Sequence, residues 1–264
     1  MIPAGNEQVM ICFPSHDRTH ASFSHDLACL VGYAAASGVP IPNHQGPLTI
    51  SLQRCMTSLL FEGRWKLVQD AKAKGATGML WLDTDMSFPP DALHMLMRHG
   101  KPIVGVNYVA RRPPHRFTAA TLEGMEMLTT PHSTGLEEAS HVGFGCVYTD
   151  MKVFDQPASE PPMFAFGWEW SAEKNDWIPV GEDVHCSRLW RQRGFKLYVE
   201  QELSAIIGHT GEKVWTPDEL MKERFITEVK TAMDAIEKEA PEKTQTWPDL
   251  VSAVTADLGR EKVA

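Results

Sequence analysis

The stretch Gly78-Met-Leu-Trp-Leu-Asp-Thr-Asp-Met-Ser-Phe-Pro-Pro90 carries an apolar run into two carboxylates one residue apart, and then into a pair of prolines. Met79 to Leu82 is too short and too uniformly apolar for a surface helix, so it reads as a strand covered on both faces. Pro89-Pro90-Asp91 places prolines and an acid where a first helical turn favours them. Leu93, Leu96 and Met97 give that helix one apolar face, and His99-Gly100 closes it. Asp83 and Asp85 repel each other where the strand stops unless a positive charge lies between or beside them, or water screens them. A metal ion is one candidate for that charge.

The same alternation extends outward. Val9 to Phe13 is a short apolar strand ended by Pro14-Ser15, and an amphipathic stretch from about Ala21 to Ser37, stopped at Gly38, predicts a helix. Ile50-Ser-Leu52 is a second strand. Helical spacing is then expected from Arg54 to Lys74, through Leu59, Leu60, Leu67, Val68 and Ala71, ending at Gly75. Pro102 to Tyr108 reads as another buried strand. Strands alternating with helices predict an α/β fold with a mostly parallel sheet and right-handed crossovers.

Beyond this the pattern loosens. Residues 117–142 suggest edge strands or loops, and 155–179 are rich in Pro, Trp and Phe, which suits either a binding surface or packing under a long loop. A helix is expected from Gly181-Glu-Asp183 to Arg193, stopped by Gly194, followed by a strand from Phe195 to Val199. Phe225, Ile226, Val229, Met233 and Ile236 mark one amphipathic helix, and Leu250, Val251, Val254 and Leu258 a second. The expected organisation is one domain over 1–215 and a helical appendage over 216–264.

Composition narrows the classes of function. At 264 residues, 43 % hydrophobic and 22 % charged, the chain suits a soluble globular protein, and no run approaches the roughly 18 apolar residues of a membrane span. Its first residues, MIPAGNEQVMICF, lack a basic region leading into a long apolar segment, so a cytoplasmic protein is expected. The five cysteines are scattered with no C-x-x-C pair, which fits free thiols and supports neither a zinc ribbon nor a disulfide framework. A net charge of -9 argues against gripping nucleic acid over the whole surface, although Arg111-Arg112-Pro-Pro-His115-Arg116 is a local basic patch.

In a doubly wound sheet, ligands collect outside the carboxyl ends of the strands, where Asp83 and Asp85 are expected. In an extended Asp-x-Asp both carboxylates point to one side, so one can hold a divalent cation while the other holds a hydroxyl or reaches the ion through water. Oxygen-rich sites suit Mg²⁺ or Mn²⁺ completed by phosphate and water. The same acids would also serve a solvated turn. Glu182-Asp183 is a second acid pair, placed either for proton transfer or to offset a helix dipole. His16 and His20 have a metal-binding spacing but fall in a loop, which favours a polar, substrate-facing role. Gly143-Phe-Gly145 marks a close backbone approach or a strand bend. Trp168, Trp170 and Trp177 either stack on a ligand or pack.

Taken in order, LWLDTDMSFPPDAL, KPIVGVNYVARR, GFGCVYTDMKVF, GEDVHCSRLWRQRGFKLYV and IGHTG resemble the GT-A glycosyltransferase superfamily, in particular small, stand-alone, family-two-like enzymes of phage or bacterial type. The resemblance spans roughly Val9 to Gly211. It implies that Asp85 binds Mn²⁺ or Mg²⁺ carrying the diphosphate of a nucleotide sugar, with UDP favoured, while Asp83 contacts ribose or sugar. By the same resemblance His209 is a further metal ligand, Pro14, Ser15 and Asp17 lie near the base, and Arg54, at the start of a helix, lies by the nucleotide. Asp183 would be the catalytic base of an inverting transfer, and Glu182 a sugar or acceptor contact. The acceptor remains open among a glycan, a protein and a hydroxylated DNA base. A nucleotidyltransferase is the runner-up, but Pro14-Ser-His-Asp-Arg18 lacks its glycine-rich phosphate loop; a non-catalytic nucleotide- or carbohydrate-binding protein is the third reading.

Overall fold

In the computed structural model of the chain, β1 (Gln8–Ser15) is flanked by two parallel neighbours, β2 (Thr49–Met56) and β3 (Gly78–Leu82), and is buried along almost its whole length. The structure describes residues 7–16, 18–36, 48–111, 113, 115–172, 174–211 and 214–239. Helix α1 (Ala21–Ala36) follows β1 and α2 (Leu60–Lys74) follows β2. After β3 come the short β4 (Met86–Ser87), α3 (Ala92–Met97), β5 (Ile103–Gly105), β6 (Leu136–Ala139) and β7 (Cys146–Asp150). The chain continues through β8 (Gly167–Ser171), β9 (Asp176–Val180), α4 (Glu182–Gln192), β10 (Leu197–Glu200), α5 (Gln201–Ile206), β11 (Gly208–Thr210), β12 (Val214–Trp215) and α6 (Pro217–Glu239).

The main sheet has the order β2-β1-β3-β7-β5-β10-β6. β1, β2, β3, β5 and β10 share one direction, and β7 and β6 run against them. The expected mostly parallel α/β sheet is therefore present in mixed form, with an antiparallel strand at its centre between β3 and β5. A buried strand reads as the same apolar run in either direction, so β7 carries no sequence mark of its orientation.

Period-two alternation divides the core. Met79 and Trp81 point to the face covered by α2 and α4, with Leu67, Val68, Ala71, Cys186 and Trp190. Leu80 and Leu82 point to the face covered by α1, α3 and α5, with Phe23, Leu30, Leu93, Leu96 and Leu203. Trp81 is fully buried among Phe144, Phe154 and Phe164, with ring centroids 5.5 to 6.0 Å away. Its indole N–H donates to Thr149 Oγ1 at 3.1 Å. Truncating such a side chain to alanine costs about 3–5 kcal/mol.

One boundary differs from expectation and matters for the site. Arg54 lies in β2, where it pairs with Phe13, and α2 begins only at Leu60. β2 is a largely polar edge strand, Thr-Ile-Ser-Leu-Gln-Arg-Cys-Met, whose pattern does not separate it from the helix that follows. α2 ends as expected at Gly75, which has φ 71°, a left-handed conformation that a side chain would strain.

The chain falls into two compact units, Met1–Pro217 and Asp218–Ala264. The second, by itself, is described as the helix α6 to residue 239, with Asp218 and Glu219 in its first turn and Phe225 and Ile226 exposed. Leu250, Val251, Val254 and Leu258 lie outside the described residues. Among the described residues no helix is long and apolar enough to cross a membrane.

Candidate functional site

Strand β3 delivers Asp83 to the carboxyl end of the sheet, where the Asp83 amide donates to Gly145 O at 2.9 Å. The chain then turns, for the Met86 amide donates back to Asp83 O at 3.1 Å. The Asp-Thr-Asp segment is therefore a turn rather than an extended strand, and its two carboxylates border one cleft while taking different partners. Asp83 meets α2, and Asp85 meets β11.

Asp83 is held by Arg64, whose Nη2 donates to Oδ1 at 2.9 Å. The Arg64 side chain is 2 % exposed and lies with Nε 3.4 Å from Glu182 Oε1 and its guanidinium 4.9 Å above the Phe144 ring. One buried cation thus joins the acid at the end of β3 to the acid that begins α4. Burial pushes the Asp83 carboxyl above the ordinary carboxylate range, and Arg64 opposes that shift. Glu182 is raised for the same reason, with Arg64 again opposing burial. Asp183 follows at the second position of α4, half-buried, its Oδ1 accepting from the Val184 amide at 2.8 Å. The Asp183 charge is felt by Asp83, Glu182 and Arg64, and by the half-buried His141.

Asp85 has different company. In the small sheet β12-β11-β4, His209 pairs with Met86, and the Thr210 amide donates to Asp85 O at 2.7 Å. That register sets His209 Nε2 3.4 Å from Asp85 Oδ2. His209 Nδ1 lies 2.8 Å from Val109 O; a carbonyl can only accept, so Nδ1 carries a proton, and Nε2 is the ring atom turned to Asp85. Arg111 Nη1 also donates to Asp85 Oδ2. Burial raises the Asp85 carboxyl, but the bond and charge from His209, with the charge of Arg111, outweigh it and hold the group below its usual value.

Asp83 and Asp85 line a cleft of about 250 Å³ with Pro14, Ser15, Thr57 and Arg111. Of the residues expected near a nucleotide, Pro14 and Ser15 thus border the same cleft as the acids. Arg54 donates from β2 to His16 O at 3.0 Å, so it braces the loop after β1 from a strand rather than from a helix start. Asp17, Arg112 and Pro114 lie outside the described residues. Gly143 and Gly145 answer to packing: a Cβ at either would fall within 2.6 to 2.7 Å of the Tyr108 side chain, whose hydroxyl accepts from the Gly145 amide at 3.1 Å. A larger apolar groove of about 680 Å³ lies on the outer side of α2 and contains none of the four acids.

The pair Asp85 and His209 fits a Mn²⁺-type ion in donor chemistry and spacing. Adjacent ligands of an octahedral ion with bonds of about 2.1 Å stand roughly 3 Å apart, and the two donor atoms here are 3.4 Å apart. Among the described residues no group of three or more His, Cys, Asp or Glu side chains is arranged to hold a metal. An ion at this pair would therefore take most of its shell from phosphate and water.

Arg64 is the residue that sequence reasoning missed. It stands three, four and seven positions before Leu67, Val68 and Ala71, on the apolar stripe of α2. A lone charge on a buried stripe requires partners, and that was its signal.

No protein-family model matches the chain, and no curated protein matches it. Solved structures similar to it include A197 from STIV, with a TM-score of 0.50 and 12 % identity over 80 % of this chain and 91 % of that one. Another is GalNAc-T7 with UDP, GalNAc and Mn²⁺, with a TM-score of 0.48 and 13 % identity over 80 % of this chain and 46 % of that one. At such identities the likeness to A197 is one of fold. The chain is an α/β protein with a mixed and mostly parallel seven-stranded sheet flanked by helices.

Proposed function

We propose that the chain is a GT-A glycosyltransferase, family-two-like, transferring a sugar from a UDP-linked donor to a hydroxyl of its acceptor, with Mn²⁺ or Mg²⁺ bound by Asp85 and His209. The observation that carries this reading is the convergence of His209 on Asp85 and of Glu182 on Asp83, the second through one buried arginine. Residues 1–215 would form the catalytic unit, and 216–264 its helical appendage.

In this reading Pro14 and Ser15 border the nucleotide end of the cleft, with Arg54 bracing His16, and Asp17 is the next residue in sequence. Asp83, oriented by Arg64, accepts from a ribose or sugar hydroxyl. A divalent ion at Asp85 and His209 would neutralise charge growing on the leaving diphosphate, a contribution of several kcal/mol. Arg111, already at Asp85, is placed to share the diphosphate. Asp183 takes the acceptor proton as that oxygen bonds to the anomeric carbon. The bond from that carbon to the phosphate oxygen breaks, and its electron pair leaves with UDP, inverting the configuration. Glu182 faces sugar or acceptor from a site fixed by Arg64.

Release of UDP from a panel of UDP-sugars, with Mn²⁺ and with chelator, tests the reading. Asp183→Asn is expected to lower kcat by about 10²–10⁴-fold, as loss of a general base does. Turnover indifferent to Asp183→Asn, or absence of turnover and UDP binding across the panel, would overturn it. Arg111 on Asp85 favours one second reading, in which arginine alone holds the diphosphate. Full activity in chelator together with its loss in Arg111→Met would select that one.

A further inference from the structure

Before the α4 acids the chain forms an isolated two-stranded ribbon, β8 with β9, in which Trp168 faces Pro179 and Trp170 faces Trp177. Directly opposed residues share a face of a ladder, so these four lie on one side, and Phe166 precedes them in the same alternation. The three tryptophans remain 69 %, 49 % and 57 % exposed. Trp170 and Trp177 meet edge to face at 5.8 Å, which accounts for them in part as a cross-strand pair. Trp168, the most exposed, faces a proline rather than another ring. The opposite face is the anchored one: Val180 is buried, and Glu169 accepts from Arg188 of α4 at 2.8 Å. An exposed aromatic face of this extent marks a binding surface.

Charge and shape select the occupant. Among its described residues the ribbon carries Glu169 and Asp176 against the single cation Lys174, on a protein of net charge -9. A phosphate-bearing polymer or an anionic bilayer meets two acids there against one lysine, a poor match for its charge. The face is an open ribbon rather than a concave slot, unlike the sites that enclose apolar molecules. Flat indoles offered to water suit the C–H face of a pyranose ring, which covers an aromatic surface while its hydroxyls stay solvated. Position agrees, because Pro179 precedes Asp183 by four residues, a span of at most about 14 Å.

We propose that this ribbon is a platform for an uncharged glycan, stacked on Trp168 and the Trp170–Trp177 pair, with its end reaching Asp183 as the acceptor. The acceptor role rests on the glycosyltransferase reading; saccharide binding at the ribbon does not. The test is tryptophan fluorescence of the full chain titrated with maltohexaose, chitohexaose and mannohexaose, and in parallel with oligothymidylate and with vesicles of equimolar phosphatidylcholine and phosphatidylglycerol. Saturable quenching by at least one saccharide is expected, weakened roughly tenfold in Trp168→Ala, the order of one aromatic contact. Trp168→Ala should keep the wild-type melting temperature, and Trp168→Phe should recover much of the binding. Quenching by none of the saccharides, tighter binding of oligothymidylate or vesicles, or a Trp168→Ala affinity equal to wild type overturns the platform. Calorimetry with UDP and Mn²⁺ separates the two claims. Absence of UDP binding alongside intact saccharide quenching removes the acceptor role and the transferase reading while leaving the glycan platform standing.

Discussion

Asp83 and Asp85 are separated by one residue and live in opposite surroundings. Asp83 is driven up by burial and held by an arginine that is itself buried, whereas Asp85 is held down by His209 and a half-exposed arginine at the mouth of the cleft. A single turn, Met86 N–H to Asp83 O, makes the difference by sending the two side chains to different partners. The lesson is that an Asp-x-Asp pair need not share a ligand. Both acids border one cleft, but the first is tied through Arg64 to the start of α4, and the second to β11 and Arg111.

The strongest way to break that contrast is to remove Arg64. Arg64→Met leaves the buried Glu182 and the partly exposed Asp83 without their cation, which is expected to cost about 3–5 kcal/mol of unfolding free energy in denaturant titration. Adding Asp83→Asn and Glu182→Gln to Arg64→Met should recover much of that loss, because the uncompensated charges go too. A loss below about 1 kcal/mol in Arg64→Met, or a triple variant no better than the single one, would show that Arg64 does not hold the two acids together.

At the mouth, the expected effect falls on activity instead. Asp85→Asn should lower sugar-nucleotide turnover by about 10²–10³-fold, the scale of losing one electrostatic contact to a developing charge, while the melting temperature stays near wild type. Arg111→Met comes next. Its Asp85 contact is surface-like and contributes about 0.2–1 kcal/mol to stability, so donor KM, expected to rise roughly tenfold, is the quantity to watch. An Arg111→Met protein with unchanged KM would assign Arg111 to Asp85 alone.

The contrast also explains what could be read before folding. The strand, the paired acids, the Glu-Asp pair before a helix and the glycine stops at Gly75 and Gly194 are local patterns, and local patterns survive in sequence. The His209-to-Asp85 approach was readable only as an analogy of position, because the register of β11 on β4 that creates it joins segments more than a hundred residues apart. Arg64 was hidden differently: charged residues on helices are usually solvated, and only its place on the Leu67–Val68–Ala71 stripe betrays burial. The direction of β7 and the end of β2 were illegible because pairing partners, not composition, decide them. The turn at Asp83 was illegible for the same reason, since a strand end and a turn begin with the same residues.

The smallest effect is also the one that separates the two acids most directly, because it is a difference of sign. Asp85 has a folded pKa below its unfolded value of about 3.9. The stability of wild type relative to Asp85→Asn is therefore complete above that value and is lost as pH falls through the lower, folded one. Asp83 is raised in the fold, so its contribution relative to Asp83→Asn is largest below the unfolded value and declines as pH rises through the folded one. Unfolding free energies of both variants, measured between about pH 3 and pH 7 in steps, should give difference curves of opposite slope. Repeating the Asp85 series in His209→Gln should flatten its curve, because the partner that opposes burial is gone. Parallel slopes would mean that both carboxylates sense one shared environment, and the division of labour between the two acids would fall with them.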